Sequence, residues 1–169
     1  MNDLLLLSTL LAGPKHGYAL KKQIALITGQ GEMHNNLVYP LLKRFVSQAW
    51  VSRREAKGQR GQTRELYALT TKGRQELVRR LSDFPEKTAR SPEEFSMRVG
   101  LFEILDAPAR VRILHQREKW LTQRAENLAA LSGAIGLEKW PAEIVGFLHA
   151  QALAEKKWIS KLRKDSEAM

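Results

Sequence analysis

The sequence predicts a mainly α-helical protein in which one short β-hairpin interrupts the helices. Apolar residues recur every three or four positions through most of the chain, which is the period of amphipathic helices. Between residues 50 and 69 the pattern changes to alternation around a glycine-bearing loop, as in a hairpin. Two long apolar seams fill the last third of the chain. This order indicates an N-terminal winged helix-turn-helix with a two-stranded wing, followed by a C-terminal helical domain.

The composition narrows the class of protein. The chain has 169 residues, enough for one domain of ordinary size or for a small domain with an extension. It contains no cysteine, which excludes disulfides, zinc–thiolate sites and a catalytic thiol, and which fits a reducing cytoplasm. The apolar run at residues 4–12 is too short for a membrane span and lacks the form of a signal peptide. We therefore expect a cytoplasmic protein with no membrane partner.

The positive charge is unevenly distributed along the chain. The formal net charge is +10, and residues 1–90 carry 16 Lys and Arg against 7 Asp and Glu, whereas residues 91–169 carry 12 against 11. A basic half beside a nearly neutral half indicates a domain that meets a polyanion such as double-stranded DNA and a domain with another task. We place the boundary between them at residues 90 and 91. A basic surface with no partner is the simpler alternative.

Three short helices are predicted before the hairpin. The segment at residues 4–11 is apolar nearly all round, so we expect a buried helix that ends at Gly13-Pro14. A second helix runs from Tyr18 to about Ile27. A turn that contains two glycines separates it from a third helix at residues 34–49.

The third helix has one apolar face and one polar face. The apolar face consists of Val38, Leu41, Leu42, Phe45 and Ala49, and the polar face includes Asn36, Tyr39, Lys43 and Ser47. Amide side chains can pair bidentately with adenine, and lysine or tyrosine can contact phosphate or guanine. This polar face is therefore the candidate reading surface for DNA, although a merely solvated helix face has the same pattern.

The hairpin after the third helix is basic around its tip. Extended segments at residues 50–53 and 64–69 flank the loop, whose glycines permit backbone angles that other residues resist. Lys57, Arg60 and Arg64 lie where a wing would contact a phosphate backbone.

Two long amphipathic helices are predicted to begin near Pro108 and Pro141. The first seam consists of Val111, Leu114, Glu118, Leu121, Ala125, Leu128 and Leu131. The second consists of Ile144, Leu148, Gln151, Glu155, Trp158 and Leu162, joined by Phe147 and Ile159. At about 1.5 Å per residue each helix is about 35 Å long. A compact winged helix alone cannot cover both seams. A hairpin of the two helices packed on the N-terminal domain is one way to bury them.

Three motifs follow one another in the first half of the chain. They are His16-Gly17-Tyr18, Tyr39-Pro40-Leu41-Leu42-Lys43-Arg44, and the segment from Gly61-Gln62-Thr63 to Leu69-Thr70-Thr71-Lys72-Gly73-Arg74. In this combination they resemble the PadR family of bacterial transcriptional regulators, over about residues 4–80. Three positions depart from the family pattern. Ala49-Trp50-Val51 stands where Gly-Leu-Ile is usual, Asn36 where a small residue is usual, and Glu65 where a basic residue is usual. The last two indicate an unusual operator preference or weaker wing contacts.

The resemblance implies a homodimeric regulator, a repressor that occupies a palindromic operator. Its C-terminal helices would pair two subunits as antiparallel helices, and the two third helices would enter successive major grooves about 34 Å apart. The implied DNA contacts are His16, Tyr18, Lys21, Asn35, Asn36, Tyr39, Lys43, Lys57, Arg60 and Arg64. The implied dimer contacts are Val111, Leu114, Leu121, Leu128, Ile144, Leu148, Trp158 and Leu162.

The tryptophans of the C-terminal region raise the question of a ligand. Some members of the resembled family hold planar aromatic molecules in a tryptophan-lined pocket at the dimer interface, and others respond to phenolic acids. On this basis Trp120 and Trp158 are the candidates for binding a small aromatic effector, although tryptophan is more often simply a large core residue.

No grouping of catalytic residues is evident in the sequence. The four histidines are far apart and lack metal-binding spacing, and neither a phosphate-binding glycine loop nor a nucleophile elbow is present. We therefore expect no enzyme, no metal and no cofactor. The remaining alternative is a winged-helix adaptor for protein assembly, which would show no salt-sensitive DNA binding.

Overall fold

The structure, a computed structural model, describes residues 2–28, 35–57, 63–134 and 136–167. Its elements are α1 Asn2–Thr9, β1 Lys15–His16, α2 Gly17–Thr28, α3 Asn35–Ser47, β2 Val51–Lys57, β3 Thr63–Leu69, α4 Thr71–Ser82, α5 Glu86–Ala89, α6 Pro92–Val99, a 3-10 turn Phe102–Ile104, α7 Ala107–Ala134 and α8 Lys139–Glu167. The predicted fold class, mainly helical with a winged helix ahead of a helical region, is confirmed. Within the described ranges, every helix is too short or too polar to cross a membrane.

The chain divides into two compact units, Met1–Leu81 and Ser82–Met169. The first contains the winged helix and the second the long helices. The functional boundary at residues 90 and 91 stays a prediction.

The first unit has one apolar core. Residues 4–7 of α1 are all buried, as the nearly continuous apolar sequence predicts. Leu20 of α2, Phe45 of α3 and Leu77 of α4 are also buried completely. Helices α2, α3 and α4 each pack an apolar face against this core, so their polar faces are exposed to solvent.

The sheet has three strands rather than the two expected. β3 lies in the middle of an antiparallel sheet with the order β1-β3-β2. The additional strand pairs Lys15 with Tyr67 and His16 with Leu66. Two residues are too few to show an alternating pattern, so the sequence could not reveal this strand. It ties the start of α2 to the hairpin.

A close backbone contact closes the corner between α3 and α4. Ala49 has a positive φ of 58°, at the position after the helix where glycine is commonly found. Thr70 caps α4, because its hydroxyl accepts from the Gly73 amide at 2.9 Å and donates to the Ala49 carbonyl oxygen at 2.7 Å. A Cβ at Gly73 would lie 1.9 Å from the Trp50 carbonyl oxygen, so only glycine fits there.

The second unit is organised by α7 and α8, which pack on each other as an antiparallel hairpin. The buried positions of α8 are Val145, Ala152, Ile159 and Ser166, which are seven residues apart. A seven-residue repeat is the spacing of helices that pack at a small angle. Of the seam predicted for α8, only Ile159 lies on this repeat, and the other members lie beside it.

Helix starts in the second unit follow their predicted signals. Ser91 is the N-cap of α6, and its hydroxyl accepts from the Glu94 amide with Pro92 at the first helical position. Asp106 does the same for α7, where its Oδ1 accepts from the Ala109 amide at 2.8 Å.

Candidate nucleic-acid interface

The third helix presents its polar face outward, as its amphipathic sequence predicts. Val38 and Phe45 are completely buried and Leu42 is nearly so, whereas Tyr39 and Lys43 are exposed. The burial of the apolar side fixes the rotation of α3, so a mutation of Lys43 changes the surface without changing the core. The side chains of Asn35 and Asn36, at the start of this helix, lie outside the described part of the structure.

Residues from all three motifs surround one depression. Its volume is about 370 Å³, and it is lined by His16, Gly17, Tyr18, Tyr39, Arg64, Glu65 and Tyr67. The ring of Tyr39 lies against Gly17, where an added Cβ would be 3.0 Å from Cε1 and 3.1 Å from the hydroxyl oxygen. Tyr18 and Tyr39 remain 65% and 45% exposed, so both phenols are accessible to a partner.

The short strand β1 holds the imidazole of His16 at the edge of this depression. Nδ1 of His16 lies 3.0 Å from the backbone carbonyl oxygen of Glu65, which can only accept. Nδ1 therefore carries a proton and donates to that oxygen. Nε2 can then donate to a phosphate only when the ring carries a second proton.

The wing strands carry a hydrogen-bonded network on one face. Oε1 of Glu65 accepts from Arg53 at 2.8 Å, and Oε2 accepts from the Tyr67 hydroxyl at 2.5 Å. The network follows from register, since Arg53 stands opposite Tyr67 and Glu55 stands opposite Glu65. Glu65 departs from the family pattern at a position visible in the sequence, but its partners depend on strand register and so could not be predicted.

Tyr67 is the hydrogen-bond donor of this network at any physiological pH. Burial raises the pKa of Tyr67 to about 12, and the hydrogen bond to Glu65 acts in the same direction. The phenol is therefore neutral and donates its proton to the Glu65 carboxylate. This contact fixes the orientation of the Glu65 side chain beside Arg53.

The other predicted DNA contacts are distributed around this surface. Lys21 on α2 is part-buried, and Arg64 on β3 is exposed beside the depression. Arg44 is held by Asp3 of α1, whose Oδ2 accepts from Arg44 at 2.6 Å and from Arg80 at 2.8 Å. The side chain of Lys57 and all of Arg60 lie outside the described residues, so their roles stay predictions.

The residues predicted to form a dimer interface occupy different environments. Leu114 and Leu121 are buried inside the second unit. Val111, Leu128, Leu148 and Leu162 are part-buried, and Ile144 and Trp158 are exposed. Two further exposed aromatic residues lie on the same face of α8 as Ile144. They are Trp140 and Phe147, which are not among the predicted dimer contacts.

The two tryptophans proposed to bind an effector are not in one pocket. Trp120 lines a groove of about 580 Å³ together with Glu86, Arg90, Gln116, Lys119, Gln123, Arg124, Asn127, Leu128 and Leu131. Trp158 does not line this groove and packs edge-on against Phe95, with ring centroids 5.9 Å apart.

A buried arginine connects these aromatic rings. Arg117 is 1% exposed, and its guanidinium lies 4.6 Å from the Trp120 ring centroid and 5.4 Å from that of Phe95. Nε of Arg117 donates to Glu155 at 2.7 Å and a second nitrogen donates to the Ala89 carbonyl oxygen. Glu155, which belongs to the seam predicted for the last helix, is therefore the partner of a buried cation.

One family model matches the first part of the chain. A family model described as the transcriptional regulator PadR-like family matches residues 6–79. No curated protein matches the sequence. Within the residues that the structure describes, no cluster of metal-binding side chains is found.

Several solved structures are similar to this chain, and the share of the chain that they cover differs. Protein TA0346 from Thermoplasma acidophilum is 31% identical, with 44% of this chain and 71% of that chain covered and a TM-score of 0.41. Bacillus subtilis PadR in complex with operator DNA is 16% identical, with 98% of each chain covered and a TM-score of 0.45. A PadR family transcription regulator from Clostridium difficile R20291 is 24% identical, with 48% and 84% covered and a TM-score of 0.43.

Proposed function

We propose that this chain binds a palindromic operator as a homodimer and represses the adjacent genes. The premise is its membership in the PadR-like family of transcriptional regulators, whose family model matches residues 6–79. The observation that carries this proposal is the shared surface of α2, α3 and the wing. There His16, Tyr18 and Tyr39 line one depression beside the exposed polar face of α3.

The roles of these residues follow from their environment. The polar face of α3 would enter the major groove, where Lys43 and the amides of Asn35 and Asn36 would reach base edges. The phenols of Tyr39 and Tyr18 would donate to phosphates and so fix the position of the helix. Lys21, Lys57, Arg60 and Arg64 would contact the backbone on either side of the groove.

A second copy of the chain would cover the exposed face of α8. Trp140, Ile144 and Phe147 are 72%, 59% and 63% exposed, and they lie on one face at spacings of four and three. Exposed apolar patches of this kind mark interaction sites. The buried heptad of α8 is already used inside the chain, so dimerisation does not need the hairpin to open.

An aromatic effector would bind in the groove that contains Trp120. The indole lies in the groove beside Leu128 and Leu131, with the Arg124 guanidinium 5.1 Å from its ring centroid, and Arg90 and Lys119 supply further positive charge. A planar aromatic anion is the chemical class that fits both features. Binding there would release the operator by changing the packing of α7.

Selection of DNA from a random duplex pool tests the DNA-binding proposal. We expect an enriched palindrome whose half-sites are about one helical turn apart. Binding that is independent of salt, with no enriched sequence, would instead favour a protein-assembly adaptor.

Variants of α3 then identify the reading surface. Asn36→Ala combined with Lys43→Ala should lower the ratio of specific to non-specific affinity by at least about tenfold. Tyr39→Phe should lower both affinities and leave the ratio nearly unchanged. Lys157→Ala, an exposed position on α8, is the matched control for loss of charge. A double variant with its full operator preference would contradict the assignment of α3.

A further inference from the structure

Glu65 places a negative charge inside the surface that we propose to meet DNA. Its side chain is about half exposed and lines the same depression as Tyr18, Tyr39 and Arg64. Duplex DNA presents about one phosphate charge for every 1.7 Å along its axis. An exposed carboxylate at this position therefore repels any duplex, whatever its sequence.

The Glu65 carboxylate also forms an ion pair with a neighbouring cation, Arg53. Arg53 is 56% exposed and lies on the same face of the wing, where its guanidinium could contact a phosphate. Its NH1 donates instead to Glu65 at 2.8 Å, and the Tyr67 hydroxyl fixes the other carboxylate oxygen. Glu65 thus adds one negative charge to this surface and neutralises one positive charge.

Structural stability accounts for the bond that Glu65 accepts from buried Tyr67, but not for its exposed pair with Arg53. Exposed ion pairs contribute little to folding. Glu55 stands directly opposite Glu65 in the ladder, and like charges in that position destabilise a strand pair. Six other residue pairs between Val51↔Leu69 and Lys57↔Thr63 hold the two strands together without the help of Glu65.

We propose that Glu65 limits the affinity of this surface for DNA by repulsion, an inference that rests on the proposed DNA-binding function. By its own charge and by its hold on Arg53, it weakens binding to every duplex alike. A sequence that also makes base contacts with α3 overcomes this penalty, whereas a random sequence does not. Because the penalty is equal for both, the ratio of the two affinities is unchanged, but random DNA stays unbound at protein concentrations that still occupy the operator.

Charge-matched variants test this role. Affinities for a random-sequence duplex and for the selected operator are measured over a series of salt concentrations for wild type, Glu65→Gln and Glu55→Gln. Both substitutions remove one negative charge from the same face of the wing. Only Glu65 holds Arg53, so Glu65→Gln should raise random-duplex affinity at least about threefold more than Glu55→Gln. It should also steepen the log–log salt slope by about 1.

Removing Arg53 provides the second arm of the test. In the Glu65→Gln background, Arg53→Gln should abolish the excess affinity and return the salt slope to that of Glu55→Gln. Circular dichroism and thermal melting establish that each variant is folded. An equal effect of Glu65→Gln and Glu55→Gln, or an excess that survives Arg53→Gln, would overturn the role of Glu65. Failure of the wild-type chain to bind any duplex would instead overturn the proposed function itself.

Discussion

The ring of Tyr39 lies against the backbone of Gly17, so that a Cβ at residue 17 would be only 3.0 Å from ring atom Cε1. Tyr39 belongs to α3, and Gly17 is the first residue of α2. The missing side chain of Gly17 therefore determines where the phenol of α3 sits. Two motifs that are separated by more than twenty residues are thus parts of one contact surface.

Gly17→Ala should weaken DNA binding without unfolding the protein. The added methyl group must displace the Tyr39 ring by a few tenths of an ångström, which spoils its hydrogen bond to a phosphate. The loss should be about 1 kcal/mol, or roughly fivefold in affinity. Gly133→Ala on α7 is the control, because a Cβ there meets no atom within 4 Å. Fluorescence anisotropy with operator DNA measures both variants, and equal affinities would contradict a phosphate contact by Tyr39.

Ala49→Gly should stabilise the protein by about 0.5–1 kcal/mol. Ala49 has a φ of 58°, which an L residue with a Cβ adopts only at a cost, whereas glycine adopts it readily. Part of the gain is offset by the greater freedom of glycine in the unfolded chain. The control is Ala130→Gly, at an exposed position inside α7, which should destabilise by about 1 kcal/mol. Urea denaturation of the full chain measures both changes, and a loss of stability in Ala49→Gly would contradict this account.

Glu76 should contribute stability that disappears in acid. Hydrogen bonds from Arg79 and Arg80 lower its pKa from 4.5 to about 2, against the opposing effect of burial. Between these two values the unfolded chain binds the proton that the folded chain does not, so stability falls as the pH decreases. At neutral pH, Glu76→Gln should cost about 1–2 kcal/mol, after allowance for solvent screening.

The difference between wild type and Glu76→Gln should shrink as the pH falls from 4.5 towards 2. Urea denaturation at a series of pH values and constant ionic strength measures it. Glu126→Gln, at an exposed position on α7, should stay within about 0.5 kcal/mol of wild type throughout. A difference that does not depend on pH would rule out a charge effect at Glu76.

Phe147→Glu should convert a dimer into a monomer. Phe147 belongs to the exposed apolar face of α8, and a second copy would bury the new carboxylate without a partner. Sedimentation at micromolar concentration should show twice 19.2 kDa for wild type and 19.2 kDa for the variant. Leu153→Glu is the matched control, because Leu153 is exposed on the opposite side of the same helix. Dissociation by both substitutions would mean that a different surface pairs the subunits.

The sequence was sufficient to predict features that depend on local pattern. The apolar side of α3, the alternation of the wing strands and the cap formed by Ser91 each follow from spacing or residue type, and the structure confirms them. The family assignment rested on three local motifs and is likewise confirmed.

Features that depend on which residues meet across space could not be predicted in the same way. The pairing of β1 with β3 joins residues about fifty positions apart, and neither strand shows its partner in its own sequence. Helix α8 has two apolar seams side by side, one through Val145 and Ile159 and one through Ile144 and Phe147. Periodicity detects both seams, but only packing against α7 decides which one is buried within the chain.

The edge strands of the sheet in the first unit disfavour aggregation through strand pairing. With the order β1-β3-β2, the edges are a strand of two residues and a strand that carries Arg53, Arg54 and Glu55. A two-residue edge offers too little backbone to template another strand, and a charged edge resists addition of a further β-strand. Concentrated solutions of this protein should therefore not polymerise through the sheet, and association between copies should remain confined to helical surfaces.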